Sequence, residues 1–215
     1  MKDIVIIGAG GFGREIKCLI DDINESSPTK LFNILGFIDD GIKVGTQIHE
    51  YKVLGNVEYL STLKKKPQIV FGIGHPPIKK KIIEQLEGFV FPSLIHPTVN
   101  VKGYNLIIGK GCIICKDSIL TCDIKILDFV TINLACTLGH DAIIKSYSSL
   151  MPSVNVSGEV VIEEGVFVGT GVKIVNQMII GKNSIIGAGA VISKPIPENC
   201  TAVGIPAKPL KFHNE

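Results

Sequence analysis

One histidine sits in the richest chemical setting of this sequence. In Leu138-Gly139-His140-Asp141 an imidazole stands beside a carboxylate, with a glycine on its other side. Imidazole titrates near neutral pH, so it can take a proton from an attacking amine or hydroxyl and later return one to a leaving group. The neighbouring carboxylate can hold the ring in one tautomer and stabilise its cation. Adjacent residues on a straight strand point apart, so the pairing requires the chain to turn, and Gly139 makes a turn feasible.

A second stretch holds a different chemistry. Gly8-Ala9-Gly10-Gly11-Phe12-Gly13 follows the apolar run Ile4–Ile7 and has the spacing G-x-G-x-x-G. Taken alone, the motif reads as the start of a dinucleotide-binding unit, in which backbone amides at a helix start face a phosphate. The next acidic pair, Asp39-Asp40, lies farther from Gly8 than the roughly 20 residues that such a unit uses. Ligands on a parallel sheet bind beyond the carboxyl ends of its strands. The glycine loop, Asp39-Asp40 and the loop Gly74-His75-Pro76-Pro77 are therefore candidate walls of one pocket.

Bulk composition narrows the class. A net charge of +2 over 215 residues points to neither nucleic acid nor a membrane surface. The N-terminus puts a strand and a glycine loop where a signal peptide would have its apolar core, and no apolar run approaches membrane-spanning length, so the expected location is cytoplasmic. Cys18, Cys112, Cys115, Cys122, Cys136 and Cys200 read as reduced thiols. Cys112 and Cys115 form a C-x-x-C, but no second pair follows at zinc-site spacing, and no metal is expected.

The elements that must position these residues follow two grammars. In the first half, strands at 3–8, 31–38, 53–54 and 68–73 alternate with helices at 14–23, 57–63 and 79–86, which predicts an α/β unit with a parallel sheet. From about residue 100 the period changes to six. Ile108 and every sixth residue up to Ile192 is a large aliphatic, the position two earlier is usually aliphatic or small, and glycine often follows the mark. A short strand plus a corner fits this period, three hexads close one triangular coil, and residues eighteen apart stack about 4.8 Å apart. The unbroken register gives roughly five coils. Of the histidines, His49, His75, His96, His140 and His213, His140 alone falls inside the coils, at a corner, with Gly158 stacked one coil later.

These hexads resemble the left-handed parallel β-helix of the hexapeptide-repeat acyltransferases. GAGGFGRE at the start, GFIDD at 36–40, IHP at 95–97, LGHD at 138–141 and GIPAK at 204–208 occur in that order. Together they resemble the sugar acetyltransferases that modify bacterial nucleotide-linked amino sugars and sialic acids, the family of the bacillosamine-pathway N-acetyltransferase. The resemblance covers essentially the whole chain. It implies a Rossmann-like nucleotide-sugar-binding domain at 1–92 and a left-handed β-helix acyltransferase domain with a C-terminal tail at 93–215.

The resemblance also implies roles. The chain would transfer acetyl from acetyl-CoA to a nucleotide-linked 4-amino-dideoxy sugar, with His140 as general base and Asp141 as its orienting partner. The acceptor would meet Gly8, Gly10, Gly11, Phe12, Gly13, Asp39, Asp40, Gly74 and His75. The Gly158 amide would hold the thioester carbonyl, and acetyl-CoA would run past Ser149, Gly169, Gly171, Gly187, Gly189 and Lys208 between the chains of a homotrimer. Phe12, Ser149 and His75 depart from the residues common at those places, which leaves the acceptor's identity open. O-acetylation of sialic acid or another sugar uses the same base, and a non-catalytic binding protein is the remote alternative.

Overall fold

In the computed structural model, which describes residues 1–102 and 105–213, the chain forms two compact units, Met1–Leu94 and Ile95–Glu215. The sequence reading sets the boundary at residue 92. The strand Leu94–Ile95 pairs into the longest face of the second unit.

The first unit has β1 (Lys2–Ile7), α1 (Gly11–Ser26), β2 (Phe32–Ile38), β3 (Gln47–Ile48), β4 (Tyr51–Gly55), a 3-10 helix over Val57–Thr62, β5 (Gln68–Phe71) and α2 (Pro76–Ile83). The sheet order is β3-β4-β2-β1-β5, and β1 lies parallel to both β2 and β5. The apolar run of β1 is thus buried in an interior strand of the sheet, as Ile4–Ile7 demands. Helix α1 buries Gly13, Ile16, Leu19, Ile20 and Ile23 and begins at Gly11, inside the glycine loop. Its start precedes the expected Arg14 because glycines cost the first turn little once the helix packs on β1. Helix α2 likewise begins earlier than expected, with a proline in its first turn, where no N–H partner is needed. The antiparallel β3–β4 hairpin has no clear sequence signal beyond His49, which turns with φ of 50°.

The second unit is a parallel β-helix. Its three faces are sheets of two-residue strands stacked eighteen residues apart, as in Thr137↔Asn155↔Lys173. Two faces have five strands and the third has eight, including Leu94–Ile95 and the terminal antiparallel strands Cys200–Gly204 and Ala207–Phe212. Inside the prism stand the marked aliphatics and the residues two before them. Where that earlier position is Ser118, Ser148 or Ser184, its hydroxyl donates to the carbonyl of Asn133, Glu163 or Pro197. Cys112 and Cys136 fill the same kind of place, with thiols on the carbonyls of Leu127 and Met151. Burial pushes the Cys136 thiol up to about 11, so it stays neutral.

Each corner carries one left-handed residue. Every sixth residue from Asn105 to Gly189 has φ between 53° and 75°, and this left-handed residue is the third after the aliphatic mark. The glycines directly after the mark serve a different purpose. A Cβ on Gly139 would lie 2.6 Å from the Gly158 nitrogen, and one on Gly169 would lie 2.6 Å from the Ala188 nitrogen. They let neighbouring coils approach.

Candidate active site

His140 and Asp141 come together at the corner that joins Thr137–Leu138 to Ile143–Ile144. Asp141 itself is the left-handed residue, with φ of 60°, and this reverses the chain enough to bring two adjacent side chains to one side. His140 Nδ1 lies 2.8 Å from Asp141 Oδ2, and each side chain is 58% exposed. A carboxylate only accepts, so the Nδ1 proton faces it and the Nε2 lone pair is left for a substrate.

Gly158 supports the ring. A Cβ there would lie 2.5 Å from His140 Nε2 and Cε1, so the imidazole rests on bare backbone one coil later. Among the described residues, the Gly158 N–H meets no acceptor, while its carbonyl accepts from the Gln177 amide. One coil earlier, the carbonyl of Cys122 accepts from the Asp141 amide at 3.2 Å. Burial, then the neighbouring Asp123 and the charge of Asp141, hold the Cys122 thiol above its ordinary value. At neutral pH it is a thiol, not a thiolate competing with an incoming nucleophile.

The other expected cofactor residues divide. Gly171 and Gly189 are left-handed, with φ of 75° and 70°, and open space lies where a Cβ would go. Gly169 and Gly187 are closed: a Cβ on Gly187 would lie 2.7 Å from a Val203 methyl. These four belong to the corners after Phe167–Val168 and Ile185–Ile186, a different edge of the prism from His140. Lys208 is exposed opposite Val203 in the terminal hairpin. Ser149 is fully buried in its strand.

In the first unit the glycine loop also divides. Gly8 has φ of 96° and would place a Cβ 2.9 Å from the Gly72 carbonyl oxygen; on Gly13 it would fall 1.9 Å from the Gly8 oxygen. These two let α1 press onto the strand ends. Gly10 and Gly11 instead face open space, at a helix start with no side-chain cap and no acidic residue in the first turn. Uncompensated amides there favour an anion. Phe12 is half-buried between the two kinds of glycine.

The acidic pair is mostly employed in the fold. Asp39 accepts from the Ala9 amide at 2.8 Å and the Gly41 amide at 2.9 Å, one per oxygen. Asp40 accepts from the Val57 amide through Oδ1 at 2.8 Å and is otherwise exposed. Both line an open cavity of about 750 Å³ with Lys43, Leu54, Asn56 and Tyr59. The last four were not singled out in the sequence. Gly55-Asn56 at the carboxyl end of β4 was the available signal, because ligands gather at that edge of a parallel sheet. Gly74 is half-buried, and His75 caps α2 without a side-chain bond and is exposed.

Known proteins match this arrangement along the chain. Residues 3–86 match the PglD N-terminal domain, and residues 159–194 match the bacterial transferase hexapeptide of six repeats. The GDP-perosamine N-acetyltransferase of Escherichia coli O157:H7 is 30% identical, over 96% of this chain and 95% of that one. The chain belongs to the hexapeptide-repeat sugar acetyltransferases. It is an acetyltransferase. Among solved structures of this family, the acetyltransferase domain of PglB from Neisseria gonorrhoeae, in complex with acetyl coenzyme A, is 30% identical, with a TM-score of 0.87 over 97% of this chain and 99% of that chain. WeeI from Acinetobacter baumannii is also 30% identical, with a TM-score of 0.85 over 98% of this chain and all of that one. Among the described residues, no helix of this acetyltransferase is long and apolar enough to cross a membrane.

Proposed function

We propose that this acetyltransferase moves acetyl from acetyl-CoA to the amine of a nucleotide-linked 4-amino-dideoxy sugar in the cytoplasm, for bacterial glycan synthesis, with His140 as general base. The observation that carries the reading is the His140–Asp141 pair, held at 2.8 Å with Nε2 over Gly158. The neutral amine attacks the thioester carbonyl while Nε2 takes its proton. The Gly158 N–H donates to the resulting oxyanion. Collapse breaks the carbon–sulfur bond, and the imidazolium returns its proton to the departing thiolate. Asp141 stabilises that imidazolium and holds the ring's tautomer.

The nucleotide belongs to the first unit, its phosphates on the amides of Gly10, Gly11 and Phe12 and its nucleoside toward Asp40. Asp39 acts one step back, by fixing the Ala9 and Gly41 amides. The open Gly171–Gly189 edge suits the pantetheine arm, and Lys208 suits a phosphate of the cofactor. Within one chain that edge and the His140 edge are separate corners of the prism. A homotrimer, in which one copy's glycine edge faces its neighbour's His140 edge, completes the site.

The test is a panel of nucleotide-linked amino sugars with acetyl-CoA, with free thiol measured and product identified by mass and base lability. An amide product is expected. An alkali-labile ester would place the chain among O-acetyltransferases, and thiol release without any acceptor dependence would overturn the reading. Light scattering should give three times the chain mass, and a monomer that still binds acetyl-CoA would contradict the trimer.

A further inference from the structure

One outward column of the β-helix is wired together in a way that packing does not require. Thr137, Asn155 and Lys173 are register partners in successive coils. The Lys173 ammonium contacts Asn155 Oδ1 and also donates to the Ser153 carbonyl at 3.3 Å. An ammonium has only donors, so the Asn155 atom facing it must be the oxygen. The Asn155 amide nitrogen is thereby aimed the other way, and it donates to Thr137 Oγ1 at 2.8 Å. Thr137 Oγ1 is thus an acceptor within the column and keeps its own proton to donate. The next residue along the column is Ile119, which has no acceptor to offer and is 59% exposed.

The result is a polarised hydroxyl donor that meets no protein acceptor among the described residues. It stands on the strand Thr137–Leu138, which leads directly into His140. Its register partner one coil earlier, Ile119, lines an open cavity of about 500 Å³ together with Thr98, Asn100, Thr121 and Cys122. The face on the other side of the His140 corner contrasts with this one, with Ile143, Val161 and Ile179 at the matching outward places. We infer that the column is an acceptor-recognition element: Thr137 donates to a ring or hydroxyl oxygen of the sugar, and Asn155 and Lys173 are positioning residues that hold that donor in one orientation. This rests on the amino-sugar reading above.

Thr137→Val keeps the shape and the strand preference but removes the hydroxyl, whereas Thr137→Ser retains it. Steady-state kinetics on the intact oligomer should show the acceptor KM raised about three- to tenfold in Thr137→Val, the range a lost neutral hydrogen bond spans. The KM for acetyl-CoA should stay within about twofold, and Thr137→Ser should restore the parent value. Lys173→Met, which frees the Asn155 amide to rotate, should raise the acceptor KM in the same direction by less. An unchanged acceptor KM in Thr137→Val would overturn the inference and leave the amino-sugar reading standing. A rise in acetyl-CoA KM instead would assign the column to the donor, and a fall in oligomer mass would assign it to the protomer interface. A parent enzyme that acetylates no nucleotide-linked amino sugar overturns both.

Discussion

Glycine does two kinds of work in each of the two units, and comparing them separates what holds this chain together from what stays open to solvent. In the α/β unit, Gly8, Gly13 and Gly72 are spent on contact. Their missing side chains let α1 and the strand ends meet at distances no Cβ allows, whereas Gly10 and Gly11 in the same loop remain open. In the β-helix the same division recurs within three residues of one corner. Gly169 is pressed against the next coil, while Gly171, two residues on, is left-handed and faces open space. A glycine-rich motif in this family is thus a mixture, and each position has to be assigned by what a Cβ would meet.

The largest effect expected from this contrast is at Gly13. An added methyl would lie 1.9 Å from the Gly8 carbonyl oxygen, a backbone atom that cannot give way cheaply. Gly13→Ala should cost more than about 3 kcal/mol, the upper end of ordinary overpacking, and lower the melting of the first unit by roughly 10–20 °C. Calorimetry that finds it as stable as the parent would break the distinction. Gly11→Val should melt within about 3 °C of the parent, since its side chain enters open space, yet raise the acceptor KM severalfold by crowding the phosphate amides. An unchanged KM there would remove the anion from the helix start.

Corner glycines offer a finer contrast. Gly169→Ala should destabilise by roughly 2 kcal/mol through the Ala188 backbone. Gly171→Ala should cost only about 1 kcal/mol, the left-handed penalty, and Gly171→Asn less, because asparagine tolerates that region. Denaturant titrations that reverse the order would show the open edge to be a packing surface.

The smallest effect concerns pH. Lys17 on α1 lies 2.8 Å from Asp21 and 2.7 Å from Glu50. Hydrogen bonds to Asp21 and then Glu50 hold the ammonium above its ordinary range, and the bond to Lys17 holds Glu50 below its own. The raised base stabilises the fold below its unfolded pKa and loses that as pH rises through its folded value. The depressed acid stabilises the fold above its unfolded pKa and loses that as pH falls through its folded value. Both are flat from about pH 5 to about pH 10. The melting difference between Lys17→Met and the parent should therefore be constant across that window and shrink in acid. A difference that varies between pH 6 and 8 would point to another titrating partner.

The coils were the legible part of the sequence. Their six-residue period, the buried marks at Ile114 or Ile162 and the eighteen-residue stacking of His140 on Gly158 follow from local repetition. The left-handed residue has no sequence signal of its own, because its position is filled by Asp117, Phe129, Ala135, Tyr147 and Glu159 as readily as by glycine. The coil geometry outweighs the local preference of these residues, at a cost of about 1–2 kcal/mol each. In the α/β unit, β1 and α1 could be read from pattern, but the short β3–β4 hairpin and the cavity residues Asn56 and Tyr59 depend on contacts distant in sequence. The burial of Ser149 is likewise set by such contacts and could not be read from its spacing from His140.

His140→Ala tests the central claim most directly, by steady-state kinetics with melting temperature and oligomer mass measured on the same samples. The ring rests on Gly158 outside the inward aliphatic column, so the fold should survive. A general base supplies roughly 10²–10⁴ in rate, and kcat should fall by that factor while acetyl-CoA affinity changes little. Asp141→Asn should cost about ten- to a hundredfold, as an orienting group. A folded His140→Ala variant of the parent's oligomer mass, with kcat within about fivefold of the parent, would contradict the account and would move the search for the base to His75.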